Sequence, residues 1–560
     1  MPSYDVRQFR GVSSAAHHIA MTRGSVPAQA VARFGGAEEG MSAMAGSESS
    51  VSGAPRAGWA VLAVCCLAQF MVVLDISIVN VALPAMQDDL HMSSGGLQWV
   101  INAYTLAFAG LLLFGGRAAD LFGRRRVFVL GLALFTLASL AGGLAQNEGQ
   151  IIAARAVQGL GGAVLAPATL SLLMTSFTEG RERTRAFGAW GATAASGGAF
   201  GTVLGGVLTD VADWRWVLFV NVPIGLILVG AARAVLTESR GQVNRLRDLD
   251  IPGTLTVTTG LVLLVYAIVR TETDSWASAS TLGMLAGAVV LLVGFVVIEA
   301  ASANPLVPLS IFRYPGIAVS NLIAAFLGAG MFAVFFFLTL YLQRVHGFSP
   351  LRAGLSMLPM PIMIIAASQL VTRVIGRIGP RPIIAFGAVV GSGGLFWLSA
   401  LSVGGTYWGE VFGPAVLMGF GMGCAMVAMV SAATAGVPLR MAGLASGLVN
   451  TGRQIGAAVG LAAVTTLASH RTEHKVRAGV PTPEALTSGY SLGLFIAACV
   501  LVLGVPAALL LPGRRPAPAP TAVPAPAAPV DSPEAAEATS EVAPAAAPTP
   551  VAQAAPAADG

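Results

Sequence analysis

Lysine is almost missing from this chain: Lys475 is the only one among 560 residues. A Walker A loop needs Gly-Lys-Ser/Thr to hold phosphate, so the chain carries no P-loop of its own for ATP. Charge of either sign is scarce, at 11% of residues against a hydrophobic share of 55%, and mean hydropathy is +0.75. A soluble domain carries about a quarter charged residues. The four cysteines, Cys65, Cys66, Cys424 and Cys499, all fall in apolar segments, which argues against a disulfide framework. Residues 1–56 are rich in Ala, Gly, Ser and Arg and show no signal-peptide apolar core. The net charge of +5 does not point to nucleic acid, because the arginines are spread through short connections between apolar runs.

Those apolar runs recur along the whole chain, and about twenty residues of helix cross a ~30 Å hydrocarbon core. The expected fold class is therefore an all-α polytopic membrane protein. Fourteen spans are expected, at 59–84, 97–116, 127–146, 150–176, 185–209, 215–236, 252–270, 280–301, 316–342, 353–376, 382–402, 410–434, 442–468 and 489–511. With the N-terminus inside, the inner connections hold sixteen arginines, among them Arg117, Arg181, Arg240, Arg313, Arg377 and Arg440. The outer ones hold Arg215, Arg270, Arg344, Arg352, Arg471, Lys475 and Arg477. The excess of positive charge inside supports cytoplasmic placement of both termini. Residues 1–56 and the Ala/Pro-rich stretch 513–560 are expected to be disordered cytoplasmic tails. Met21, Met41 and Met44 are alternative starts.

One carboxylate interrupts the first span. Asp75 sits well inside a run that is otherwise apolar from Trp59 onward, where a charge costs roughly 3 kcal/mol on insertion scales. Two readings are open: a titratable group facing an aqueous path, or an acid hydrogen-bonded to a neighbouring helix for packing. Arg453 falls near mid-membrane in the thirteenth span and needs an acceptor or water, in either a structural or a coupling role. Asn80, Asn102, Tyr104, Gln158, Asn450 and Gln454 either line a cavity or join helices. Glu299 and Glu410 fall at span ends, where solvation is cheap, and receive no coupling role. His470-Arg471-Thr472-Glu473-His474 matches the H-x-x-E-H spacing of inverted zinc peptidases, but it lacks an ordered third ligand, so no metal site is expected.

The connection after the second span carries the most specific string, Gly116-Arg117-Ala118-Ala119-Asp120-Leu121-Phe122-Gly123-Arg124-Arg125-Arg126. It resembles the signature loop of the major facilitator superfamily. Arg155-Ala156-Val157-Gln158-Gly159-Leu160-Gly161-Gly162 looks like that family's second motif, an arginine entering a glycine-rich helix. Gly197, Gly201 and Gly205 share one helical face and allow close approach of another helix. The string Gly201-Thr202-Val203-Leu204-Gly205-Gly206 resembles the antiporter motif of drug exporters, with Thr202 where the family usually has proline. Trp214-Arg215-Trp216, the following Phe219-Val220-Asn221-Val222-Pro223-Ile224-Gly225, and the stretch 445–456 also fit the fourteen-helix drug:proton antiporters of the EmrB/QacA type. A degenerate copy of the signature loop, Gly376-Arg377-Ile378-Gly379-Pro380-Arg381, has glycine where Asp120 would stand.

The resemblance implies a six-helix bundle over 57–236, a linker at 237–251, two inserted helices over 252–301 and a second bundle over 302–512. It implies a proton-coupled exporter of amphipathic drug-like molecules in a bacterial cytoplasmic membrane, monomeric, with no cofactor and no enzymatic activity. Asp75 would carry the proton. Asp120, Gly123, Arg124, Arg125 and Arg126 would gate, with Asp120 facing the thirteenth span near Gly443 to Gly447. Arg155, Arg453, Asn80, Gln158 and Asn450 are relay or cavity candidates. The alternatives are a transporter of the same fold dedicated to one peptide, lipid or osmolyte and, more distantly, a polytopic membrane enzyme.

Overall fold

The computed structural model describes residues 54–177, 181–238, 249–271, 274–302 and 304–512. The expectations for both tails and for most of the linker at 237–251 lie outside these residues. The described residues form long helices: α1 Ala54–Asp89, α2 Ser94–Phe122, α3 Arg124–Gly143, α4 Glu148–Ser176 and α5 Arg181–Val211. They continue as α6 Trp216–Val235, α7 Ile251–Arg270, α8 Ala279–Ala301, α9 Pro315–Val345 and α10 Pro350–Ile378. The last are α11 Pro380–Leu398, α12 Tyr407–Thr434, α13 Leu439–Arg477 and α14 Thr482–Leu509.

Twelve of these helices are long and apolar enough to cross a membrane; α5 and α13 are long but fall short in apolarity. The reason is packing. Both carry small and polar residues because they lie close against other helices, where a larger apolar side chain has no room. A methyl at Gly201 would stand 2.7 Å from Ser77 Cβ and 2.8 Å from the Leu74 carbonyl oxygen, and one at Gly205 2.7 Å from the Ile78 carbonyl oxygen. On α13, Gly452, Gly456 and Gly460 approach Asn321, Ala325 and Ala329 of α9 in the same way. Thr202 leaves α5 unbroken: its hydroxyl donates to the Ala199 carbonyl at 2.8 Å, where proline would have removed a donor.

The pairings repeat. Helix α1 packs on α4, α5 and α6, while α2 packs on α4, and α3 on α4 and α6. Eight helices later, α9 packs on α12, α13 and α14, α10 on α12, and α11 on α12 and α14. The cross-contacts are reciprocal: α2 meets α13, and α5 meets α10. Helix α7 packs on α8 and on the α2–α13 seam, and most of the α8 surface is exposed. The turns after α2 and α10 match as well, with Gly123 at φ 100° and Gly379 at φ 86°, a region that side chains rarely adopt.

Candidate functional site

Asp75 is fully buried, on the third turn of α1 before Pro84, and helices from across the first half converge on it. Arg155 of α4 donates from Nη1 to Asp75 Oδ2 at 2.6 Å. Gln158, one turn along α4, donates from Nε2 to Asp75 Oδ1 at 2.6 Å and to Ser139 Oγ of α3 at 2.7 Å. Asn221, near the start of α6, donates from Nδ2 to Asp75 Oδ1 at 2.9 Å. Arg155 is itself braced three more ways. Its Nη1 reaches Gln158 Oε1 at 2.6 Å, its Nε reaches the Val100 carbonyl of α2 at 3.2 Å, and its guanidinium lies 4.3 Å from the centre of the Tyr104 ring. A buried carboxylate and guanidinium persist only when paired and hydrogen-bonded, and this cluster supplies both.

Asp75 therefore faces Arg155 and its neighbours in this conformation, and not water. Arg155 and Gln158 are brought to it as a unit. Asn80 and Asn450 are not: Asn80 donates to the Ile76 carbonyl of its own helix at 2.7 Å, and Asn450 accepts from Arg453 of its own helix at 2.8 Å. Sequence reading missed Asn221 as a partner, together with Ser139 and the Val100 carbonyl. The signal for Asn221 was an amide in the second turn of an apolar span, inside a string already singled out.

Among the described residues, the second half has no counterpart to this cluster. Gly131 and Gly387 approach the carbonyls of Gly161 and Gly421, which sets α4 and α12 in register. Ala415 and Met418 then stand where Arg155 and Gln158 stand in the first half. The matching turn of α9, residues 323–326, is Ile-Ala-Ala-Phe.

At the signature loop, Asp120 is largely exposed and pairs with Arg124 at 3.4 Å. Arg125 donates to the Arg233 carbonyl at 2.9 Å, and Arg126 pairs with Glu238 at 3.4 Å, so two of the three arginines tie α3 to the end of α6. At the opposite end, the two halves are bonded together. Gln343 donates to the Val81 carbonyl at 2.9 Å, and Arg344 donates to the Pro84 carbonyl at 3.2 Å and forms an ion pair with Asp88. Gly354 of α10 closes on the Thr202 carbonyl of α5 beside them.

A profile of the Major Facilitator Superfamily matches residues 65–461. The chain belongs to the major facilitator superfamily. It is accordingly a multi-pass membrane transporter and not an enzyme. Among relatives in this superfamily, it is 44% identical over 447 residues to the cephamycin export protein CmcT of Amycolatopsis lactamdurans, covering 79% of this chain and 90% of that one. It is 39% identical to the puromycin resistance protein pur8 of Streptomyces alboniger, over 80% and 90% of the two chains. A crystal structure of an auto-inhibited peptide transporter of the POT family superposes with TM-score 0.60 at 14% identity, covering 81% of this chain and 97% of that chain, which shows the superfamily fold alone.

The remaining sequence expectations divide. No group of three or more metal-binding side chains occurs among the described residues; His470 meets the Thr271 carbonyl at 2.8 Å and Glu473 pairs with Arg477 at 3.1 Å. One G-x-S-x-G string exists, Gly489-Tyr490-Ser491-Leu492-Gly493, but it runs inside α14 and forms no strand-to-helix elbow. All four cysteines are free. The expected cheap solvation of Glu299 is corrected: the residue is 2% exposed and accepts from the Val307 amide at 3.0 Å, because the connection after α8 folds back over it. Glu410 is half-buried, and it accepts from the Ser402 amide and hydroxyl at 3.0 and 2.7 Å and from the Tyr341 hydroxyl at 3.1 Å.

Proposed function

We propose that this protein exports amphipathic antibiotics in exchange for protons, by alternating access across a bacterial cytoplasmic membrane. The observation that carries the reading is the Asp75–Arg155 pair, braced by Gln158 and Asn221 and present in the first half alone. Uniport needs no buried titratable pair; antiport needs a group whose neutralisation changes the packing. Relatives named for export of, or resistance to, single antibiotics support an antibiotic as cargo. Fourteen spanning helices follow if α5 and α13 cross with the other twelve, and both termini are then cytoplasmic, with the signature loop inside. Two six-helix bundles move as bodies, α7 and α8 ride on the α2–α13 seam, and the monomer is the working unit.

The geometry supports a route for coupling. A proton on Asp75 removes the anion facing Arg155, and an uncompensated buried charge costs about 3–5 kcal/mol. Arg155 keeps the Val100 carbonyl, Gln158 and the Tyr104 ring, so the contact that yields is the one between α4 and α1. Asp88 lies thirteen residues further along α1, about 20 Å at helical rise. Movement of α1 is thus transmitted to the outer bonds with Gln343 and Arg344, and the glycine face of α5 moves with it. The deprotonated, ion-paired state goes with the sealed outer end. Asp75 takes a proton from outside while the outer end is open, as the cargo leaves, and gives it up inside once that end is sealed and the pair with Arg155 re-forms. Asp120 serves as a latch on the inner side, engaging the start of α13 only when that side closes.

The test is uptake of a radiolabelled antibiotic panel into inverted membrane vesicles, with and without an imposed pH gradient. Gradient-dependent uptake of at least one amphipathic antibiotic is expected. Uptake indifferent to the gradient would contradict proton coupling.

A further inference from the structure

Charge is almost absent from the interior of the helices. Of Asp, Glu, Lys and Arg, only three side chains stand at least seven residues inside the ends of α1 to α14: Asp75, Arg155 and Arg453. Asp75 and Arg155 neutralise each other at 2.6 Å. Arg453 is left over. Its Nη2 donates to Asn450 Oδ1 at 2.8 Å, and among the described residues no carboxylate pairs with it. A guanidinium keeps its charge at that depth and needs an anion or water beside it.

Packing fixes the direction in which Arg453 points. Gly452, Gly456 and Gly460 turn one side of α13 to α9. Ile455 and Val459 pack against a cluster that holds Leu261 and Val265 of α7, and Ala458 and Ala462 join Leu106 of α2 in the same cluster. Gly447, further down α13, approaches Leu113 of α2. At 3.6 residues per turn, Asn450 and Arg453 stand about 140° and 160° round the helix from Ile455, on the side left between α9 and α2. Those two helices belong to opposite halves, and α7 lies on the far side of α13. Arg453 therefore looks into the space between the halves, where it is half-buried.

We propose that Arg453 and Asn450 form an anion subsite for the cargo, so that the exported amphipath carries a carboxylate; this rests on the export reading above and narrows its cargo. Asn450 gives its oxygen to the guanidinium, which leaves its Nδ2 to donate to the same anion. The guanidinium keeps several N–H donors beyond the one that Asn450 takes, and its planar fork grips a carboxylate through paired parallel bonds. A cationic cargo would meet a like charge in low-dielectric surroundings, and a neutral one would leave the guanidinium without a counter-charge. A carboxylate removes the one uncompensated charge of the helix interiors.

The test is binding by the full-length protein in nanodiscs, at neutral pH and physiological chloride. The probes are dansyl-phenylalanine, dansyl-leucine and dansyl-tryptophan, each against its own primary amide, followed by dansyl fluorescence. At least one acid should bind roughly ten- to a hundredfold tighter than its amide, the range of a hydrogen bond to a charged group. Arg453→Gln should bring that ratio close to one and melt no lower than the unaltered protein, since it removes a charge that has no ion-pair partner. Equal binding of acid and amide in all three pairs, an acid preference that survives Arg453→Gln, or a lowered melting temperature in that variant would each overturn the proposal. Acid preference together with antibiotic uptake indifferent to a pH gradient would sink the proton coupling and spare this site; gradient-driven uptake without acid preference would do the reverse.

Discussion

Replacing Arg344 with alanine should open the outer end of the transporter. Arg344 reaches Asp88 and the Pro84 carbonyl from α9 and also meets Gln87 Oε1 at 3.3 Å. The ion pair is half in water, with side-chain exposures of 31% for Arg344 and 65% for Asp88, so it is worth about 0.2–1 kcal/mol. The bond to the Pro84 carbonyl adds about 1 kcal/mol. Losing both costs about 1–2 kcal/mol of the sealed state, a factor of about 5–30 in the state ratio. The Gln343–Val81 bond and the close contact of Gly354 with α5 remain, so the protein stays folded. The assay is the distribution of spin-label distances between α1 and α9 at their outer ends. Arg344→Ala should raise the longer-distance population within that range, Asp88→Asn should raise it less, and the double variant should fall short of the sum. An unchanged distribution in Arg344→Ala would refute the assignment of these bonds as the outer seal.

Three further outcomes are expected. Gly201→Leu should abolish folded protein, measured by monodisperse yield after solubilisation, because a side chain there runs into Ser77 and the Leu74 carbonyl; Gly188→Leu, with nothing within 4 Å, should be tolerated. Asp120→Ala should raise cytoplasmic labelling of Gly447→Cys and slow turnover, with Asp120→Asn intermediate, since a carboxylate at a helix N-terminus is worth roughly 0.3–1 kcal/mol; equal labelling in all three would leave Asp120 a loop-folding residue. Arg155→Lys should fold with a melting temperature several degrees lower and transport poorly, because an ammonium cannot serve Asp75, Gln158 and the Val100 carbonyl at once. Near-normal transport by Arg155→Lys would show that the forked geometry is dispensable.

The helices were legible because their signal is local. Apolar runs located the twelve helices that meet the length and apolarity requirement, and the same reading placed spans at 185–209 and 442–468, within α5 and α13, where hydropathy is weaker. The cluster around Asp75 was legible in part. A lone aspartate in an apolar run announces an unmet need, and the arginine of a glycine-rich helix is an obvious candidate to meet it. That Arg155 and Asp75 touch is a fact of tertiary packing across 80 residues of sequence, which no local pattern encodes. Arg344 was read only as an outer-loop charge for the same reason: its partners sit more than 250 residues earlier. Glu299 was misread because a helix end looks solvated until the following connection is seen to fold over it.

The central claim is that Asp75 carries the coupling proton, and gradient-driven transport by Asp75→Asn in proteoliposomes tests it most directly. Asparagine preserves shape and one acceptor while removing titration, and the buried charge it leaves on Arg155 costs about 3–5 kcal/mol, within a typical folding stability of about 5–15 kcal/mol. The variant should therefore reconstitute as folded protein and show no response of antibiotic transport to an imposed pH gradient. Gradient-driven transport at the unmodified rate would contradict the account.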